Sequence, residues 1–192
     1  MKVLDLGCGA RKVPGVFGVD AYPYPGVDLV HNLDAAPWPL ADNEYDLIVI
    51  RHVIEHVADM VAFLREVHRV AKPGGLVEIV TPHYSNRSAY ADPTHRRALS
   101  ARVFDFFTGG EPRPMDRFAI ARHWLFEHRF VLERLPDAPR FSLLRRRVTF
   151  SRIYRWLGLD WLARRHLDFY EFYLAWIFPA RDIEVALRVD KG

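Results

Sequence analysis

The sequence predicts an α/β fold, an open and mostly parallel sheet with helices on both faces. Three observations carry this. Val3-Leu4-Asp5-Leu6 is a short apolar strand that empties into the glycine turn Gly7-Cys8-Gly9. Tyr45 to Ile50 is an apolar strand interrupted only by Asp46, and Leu76 to Thr81 is the next strand. Between them, Asp59 to Val70 places Val61, Phe63, Leu64 and Val67 at helical spacing, and Lys72-Pro73-Gly74-Gly75 follows as a stop. Strand, helix and strand in that order imply a right-handed crossover and parallel neighbours.

Each element in turn carries a residue suited to ligand binding. Gly7 and Gly9 let the backbone turn sharply and approach a ligand closely. Asp5 discriminates between ligands: a dinucleotide brings a pyrophosphate, which wants bare N–H groups, whereas S-adenosylmethionine brings an ammonium and a sulfonium, which a carboxylate attracts. The third glycine of the dinucleotide pattern Gly-x-Gly-x-x-Gly falls on Lys12, so a dehydrogenase is disfavoured. Val16 to Asp20 reads as a second strand whose terminal carboxylate can hold two ribose hydroxyls. Val27 to Val30 reads as a third, followed by Leu33, placed to pack on adenine, and Asp34, placed to accept its exocyclic amine. Any one of these aspartates also reads as a turn cap; three after three successive strands read as a site.

Together with Pro37 to Ile50, the string His52-Val-Ile-Glu-His56 and Arg69-Val-Ala-Lys-Pro-Gly-Gly75, these residues resemble the ordered signature of class I S-adenosylmethionine-dependent methyltransferases, most of all small bacterial and archaeal members of the type 11 group. The resemblance covers residues 2 to 107 and is looser beyond. It implies a seven-stranded Rossmann-like methyltransferase sheet, mostly parallel with the last strand antiparallel, and S-adenosylmethionine as cosubstrate. It places Asp5, Gly7 and Gly9 around the methionine part, Asp20 on the ribose, Leu33 and Asp34 on the adenine, and Arg51 and His52 toward the sulfonium. One departure stands out. The family has a helix of several turns before the second strand, but here only Ala10 to Gly15 are available, with Pro14 and Gly15 opposing helix. That crossover is expected to shrink to a turn. The chain also begins at the first strand, so the cofactor edge is expected to be open unless a later segment, or a second subunit in a homodimer, covers it.

The 192 residues, half of them hydrophobic, suit a single domain over 1–192. No apolar run is long enough to span a membrane, and no leader layout precedes the first strand. Cys8 is the only cysteine, which excludes an intrachain disulfide and points to the cytoplasm; its place in the turn suits a small residue chosen for fit. Charge is uneven. Residues 1–100 carry 10 Lys and Arg against 12 Asp and Glu, and residues 101–192 carry 17 against 12. The excess concentrates in Arg140 to His166, interleaved with Phe141, Phe150, Tyr154, Trp156 and Trp161. That mixture suits nucleic acid or an anionic membrane surface. The same arginines also fit the solvent face of an ordinary amphipathic segment, and four lysines beside 23 arginines read as composition bias. A small-molecule partner is therefore favoured.

Arg129 to Leu135 and Asp182 to Val189 read as the last two strands, an antiparallel pair by the resemblance. Ser151 to His166 and Leu167 to Phe178 read as helices inserted between them and stopped by Pro179. This insertion, residues 137–178, and the segment 84–124 are candidate substrate covers. Tyr84, Phe106, Phe107, Trp156 and Tyr170 are the aromatics available as pocket walls.

The chemistry belongs at the carboxyl ends of the strands. Methyl transfer is an in-line displacement, so the protein mainly aligns the acceptor and, for a hydroxyl, removes its proton. His52 or His83 suits that task, with Tyr84, His95 and Arg96 as substrate-binding candidates. His56 and His95 also read as loop residues that bond backbone. Glu55-His56, with His52 three residues ahead and His95 or His83 later, resembles the metal site of small-RNA 2′-O-methyltransferases and ubiquinone-pathway O-methyltransferases. Here histidine replaces the first glutamate, which shifts the preference toward zinc-like or nickel-like ions and leaves the metal open. The function expected is methyl transfer from S-adenosylmethionine to oxygen or nitrogen of a small molecule. The alternatives are a methyltransferase acting on RNA or a lipid-like substrate, and a noncatalytic S-adenosylmethionine-binding protein.

Overall fold

The computed structural model describes residues 1–108 and 137–191. Seven strands form one sheet: β1 (Val3–Leu6), β2 (Phe17–Asp20), β3 (Leu29–Val30), β4 (Tyr45–Arg51), β5 (Ala71–Pro82), β6 (Phe141–Val148) and β7 (Asp182–Val189). Their order is β3-β2-β1-β4-β5-β7-β6. The first five pair in parallel, and β7 enters antiparallel between β5 and β6. Leu4 and Leu6 lie in register with Ile48 and Ile50 of β4, and all four are fully buried. Each such side chain contributes about 1.5–3 kcal/mol by leaving water, which makes the β1–β4 pair the spine of the sheet.

Helix α1 (Met60–Val70) carries the β4-to-β5 crossover. Asp59 caps it by accepting from the Val61 and Ala62 N–H groups, and Phe63, Leu64, Val67 and Val70 face inward. The β1-to-β2 crossover is a single 3₁₀ turn, Gly9–Arg11, as its length required. No helix joins β3 to β4; Trp38 from that connection packs edge-on against Phe63 with ring centroids 5.4 Å apart. Arg69 fastens it by donating to the Trp38 and Leu40 carbonyls and to the Asp42 and Glu66 carboxylates.

The strand expected at Arg129 to Leu135 falls outside the described residues. The sixth strand described is Phe141–Val148, inside the basic stretch read from sequence as part of a cover. Its three consecutive arginines hid it. An edge strand tolerates such charge, and Arg146 and Arg147 are paired with Asp105 and Asp160 while Phe141 and Val148 are buried. Helix α2 (Ser88–Ala91) and a 3₁₀ helix, Ala101–Phe106, follow β5, and among the described residues three helices lie between β6 and β7: α3 (Arg152–Trp156), α4 (Leu159–Arg165), and α5 (Leu167–Phe169), which runs into a π-helical turn, Tyr170–Leu174. Among the described residues no helix is long and apolar enough to cross a membrane.

Candidate functional site

The chain moves outward from β1 to β3 and then returns to place β4 on the other side of β1. Such a reversal opens a crevice at the carboxyl ends of the strands. Asp5 and the glycine turn reach it from β1, Asp20 from β2, Arg51 and His52 from β4, and Thr81 and His83 from β5.

Asp5 is only 2% exposed. Arg51 Nη2 donates to its Oδ2 at 2.8 Å, while Oδ1 is buried with no hydrogen-bond partner among the described residues. Burial, opposed by Arg51 and by the backbone N–H of Val13, pushes its carboxyl pKa above the ordinary value. A buried carboxylate oxygen left unpaired is costly, and a ligand ammonium would satisfy it. Asp20 shapes the turn itself: Oδ2 accepts the Gly9 N–H at 2.8 Å and Oδ1 the Tyr22 N–H at 3.0 Å. Each oxygen keeps capacity for a ribose hydroxyl.

Gly7 and Gly9 both have positive φ, +66° and +56°. A Cβ on Gly7 would lie 2.2 Å from Val53 Cγ2, whereas one on Gly9 would meet nothing within 4 Å. Gly7 is therefore bare to admit a valine from the loop after β4, and the ligand-clearance reading holds better for Gly9. Leu33 is half-buried against the core, and its carbonyl accepts Trp38 Nε1–H at 3.1 Å. Asp34 is exposed and accepts the Ala58 N–H at 2.7 Å, which ties the β3 loop to the loop after β4.

The two histidines proposed as bases differ sharply. His52, at φ +55°, is half exposed, with Nδ1 3.4 Å from Oε1 of the buried Glu55. That is an ion-pair distance rather than a formed hydrogen bond, so Oε1 counts as unpartnered; Oε2 accepts from Thr81 Oγ1 at 3.0 Å. The Glu55 carboxylate, working against burial, raises the His52 pKa. His83 is fully buried. Its Nδ1 accepts the Ser85 N–H at 3.2 Å, which leaves Nε2–H to face Glu171 Oε1 at 3.2 Å. With both nitrogens occupied, His83 offers none to an acceptor.

Glu171, which the sequence reading missed, gathers this corner. Ser100 Oγ and the Ala101 N–H donate to its carboxylate at 2.7 and 2.8 Å, and Tyr84 OH donates to its carbonyl. Burial alone would raise its pKa; the bonds from His83, Ser100 and Ala101 outweigh burial and hold it below the ordinary glutamate value. The available signal was a lone carboxylate within the apolar run Phe169 to Phe178. The expected aromatic walls are also redistributed. Tyr170 and Phe107 are core residues and Trp156 faces solvent, while Trp176 takes the place beside Tyr84, ring centroids 5.4 Å apart.

His56 and His95 meet edge to face, and their ligand atoms lie within 4.8 Å of one another and of a Glu55 oxygen. Among the described residues, those able to share a cation are thus Glu55, His56 and His95; neither His52 nor His83 joins them. Each histidine also has a loop bond, His56 Nδ1 with Thr94 Oγ1 at 3.0 Å and His95 Nδ1 with the Ala89 carbonyl at 3.3 Å. The Arg96 N–H donates to the Glu55 carbonyl at 2.9 Å, which holds its loop against the loop after β4, and the Arg96 side chain is exposed.

The methyltransferase domain family matches residues 1–186, and the chain belongs to it. A protein of Mycolicibacterium smegmatis named "probable S-adenosylmethionine-dependent methyltransferase" is 34% identical over 120 residues, 52% of this chain and 46% of that protein. A demethylmenaquinone methyltransferase of Lysinibacillus sphaericus is 35% identical over 68 residues, 35% of this chain and 29% of its own length. The chain thus spans less than half the length of these curated relatives. The YcgJ protein of Bacillus subtilis has the same fold, with a TM-score of 0.54 at 16% identity over 100% of this chain and 92% of that one. An S-adenosylmethionine-dependent methyltransferase of Mesorhizobium loti gives 0.50 at 20% identity, covering 97% and 90%. S-Adenosylmethionine is the family's cosubstrate, and the residues here suit it: an orphaned carboxylate oxygen on Asp5, a bare backbone at Gly9 and a carboxylate on Asp20.

Proposed function

We propose that this chain transfers a methyl group from S-adenosylmethionine to oxygen or nitrogen of a small molecule in the cytoplasm. The observation that carries the reading is Asp5, buried beside the glycine turn with one oxygen unpaired, on the strand next to the one that presents His52. When bound, S-adenosylmethionine supplies an electrophilic methyl group on sulfur. Asp5 would hold the ammonium and Asp20 the ribose, which fixes where the methyl group points. His52 would take the proton of an acceptor hydroxyl as the new carbon–oxygen bond forms and the methyl–sulfur bond breaks, its electron pair leaving with the thioether product S-adenosylhomocysteine, and Glu55 would stabilise the resulting imidazolium. An amine that is already unprotonated needs no such base. Tyr84, His95 and Arg96 would orient the acceptor. A lipid-like acceptor is the second reading, favoured by the exposed Trp176 beside Tyr84.

The test is single-turnover methyl transfer to a panel of small hydroxyl, amine and lipid-like acceptors, with S-adenosylhomocysteine affinity measured by calorimetry. On a hydroxyl acceptor, His52→Ala should cost about 10²- to 10⁴-fold in rate with cofactor affinity intact. Tight binding with no turnover on any acceptor would leave a noncatalytic binder instead.

A further inference from the structure

The insertion between β6 and β7 turns its largest apolar side chains outward. Helix α3 has no buried residue: Ile153 is 71% exposed and Trp156 86%. On α4, Leu159 and Ala163 face the protein while Trp161 is 64% exposed. Tryptophan is among the residues most buried on average, so two standing in solvent on adjacent helices need an explanation. They do not stand alone. Arg152, Arg155, Trp156, Trp161 and Arg164 line one open groove. Arg164 pairs with Asp160 at 2.7 Å, a carboxylate that Arg147 shares, and Arg152, Arg155 and Arg165 form no ion pair among the described residues. The surface therefore combines apolar bulk with uncompensated positive charge.

We infer that α3 and α4 form a docking surface for an anionic lipid bilayer. Indole rings settle at the headgroup level, Ile153 and Leu157 reach the acyl boundary, and the free guanidinium groups bind lipid phosphates. Charge complementarity selects this occupant. A second copy of the chain would bring the same unpaired arginines face to face. Single-stranded RNA would use the arginines and indoles but gain nothing from the exposed aliphatic side chains. The inference stands whether the methyl acceptor is soluble or lipid-like.

The test is co-sedimentation of the full chain with phosphatidylcholine vesicles and with vesicles of phosphatidylcholine and phosphatidylglycerol. The chain should pellet with the anionic vesicles, and salt should weaken that binding. Arg152→Glu with Arg155→Glu, and separately Trp156→Ala with Trp161→Ala, should each lower partitioning by at least about tenfold. Unchanged affinity of both variants for S-adenosylhomocysteine would show that they remain folded. No pelleting, equal pelleting on neutral vesicles, or wild-type partitioning by both variants would overturn the inference. So would RNA retention, or self-association, that these variants abolish while vesicles are ignored.

Discussion

Asp20 joins two tasks in one carboxylate, since it fixes the glycine turn through the Gly9 N–H and faces the crevice where a ribose would sit. Asp20→Ala should lower S-adenosylhomocysteine affinity by about 1.5–3 kcal/mol in calorimetry, the cost of removing a charged hydrogen-bond acceptor. Unchanged affinity would place the cofactor elsewhere. His52 yields a pH test. A base works unprotonated, and Glu55 raises the His52 pKa, so the rate on a hydroxyl acceptor should fall as pH drops through a value above the ordinary ~6.5 of histidine. Glu55→Gln removes the carboxylate and should move that acid limb downward. An acid limb that stays put would exclude His52 as the titrating group. The positions of Asp5, Asp20 and His52 at strand ends were legible because a strand ending in a carboxylate or histidine is a local pattern. The burial of His83 was not legible, because its partner Glu171 lies 88 residues away.

Among the elements, the glycine turn and the loop after β4 are locked through Gly7 and Val53. Gly7→Ala should cost about 1–3 kcal/mol in urea unfolding, from overpacking and an alanine forced to positive φ. Val53→Ala opens room for the new Cβ, so the double variant should be more stable than the two single losses add up to, by at least about 0.5 kcal/mol. Strict additivity would mean that the contact is not the cause. Glu171 ties the insertion to the β5 loop. Its folded pKa is depressed, so its contribution is present above the ordinary glutamate pKa and is lost as pH falls through the folded value. Glu171→Gln should therefore cost about 1–3 kcal/mol at neutral pH, with the deficit shrinking toward pH ~3. A deficit independent of pH would point to packing instead. The strands β1 to β5 and β7, with α1, followed from apolar runs and helical spacing. β6 did not, because two of its three arginines, Arg146 and Arg147, are paired with acids from other elements.

For the whole molecule, the unpaired Asp5 oxygen is a cost that a bound ligand ammonium would remove, so cofactor binding and global stability should be linked. At a hundred times its Kd, S-adenosylhomocysteine should add about 2.7 kcal/mol and raise Tm by about 5–10 °C in a thermal melt. At the same concentration the shift should shrink in Asp20→Ala. An unaltered wild-type melt would count against the proposed function.

The sequence by itself determined the parallel core of the sheet, the glycine turn and the carboxylates at the strand ends. These depend on periodicity and on turn chemistry over a few neighbouring residues, and such signals survive without knowledge of the rest of the chain. Only the tertiary structure decided that Gly7 makes room for Val53, that His83 is closed off by Glu171, and that Trp156 faces water while Tyr170 fills the core. Each of these turns on which distant side chain arrives on a given face. That is set by how the packed elements share space and neutralise one another's charge, and the order of residues along one segment does not encode it.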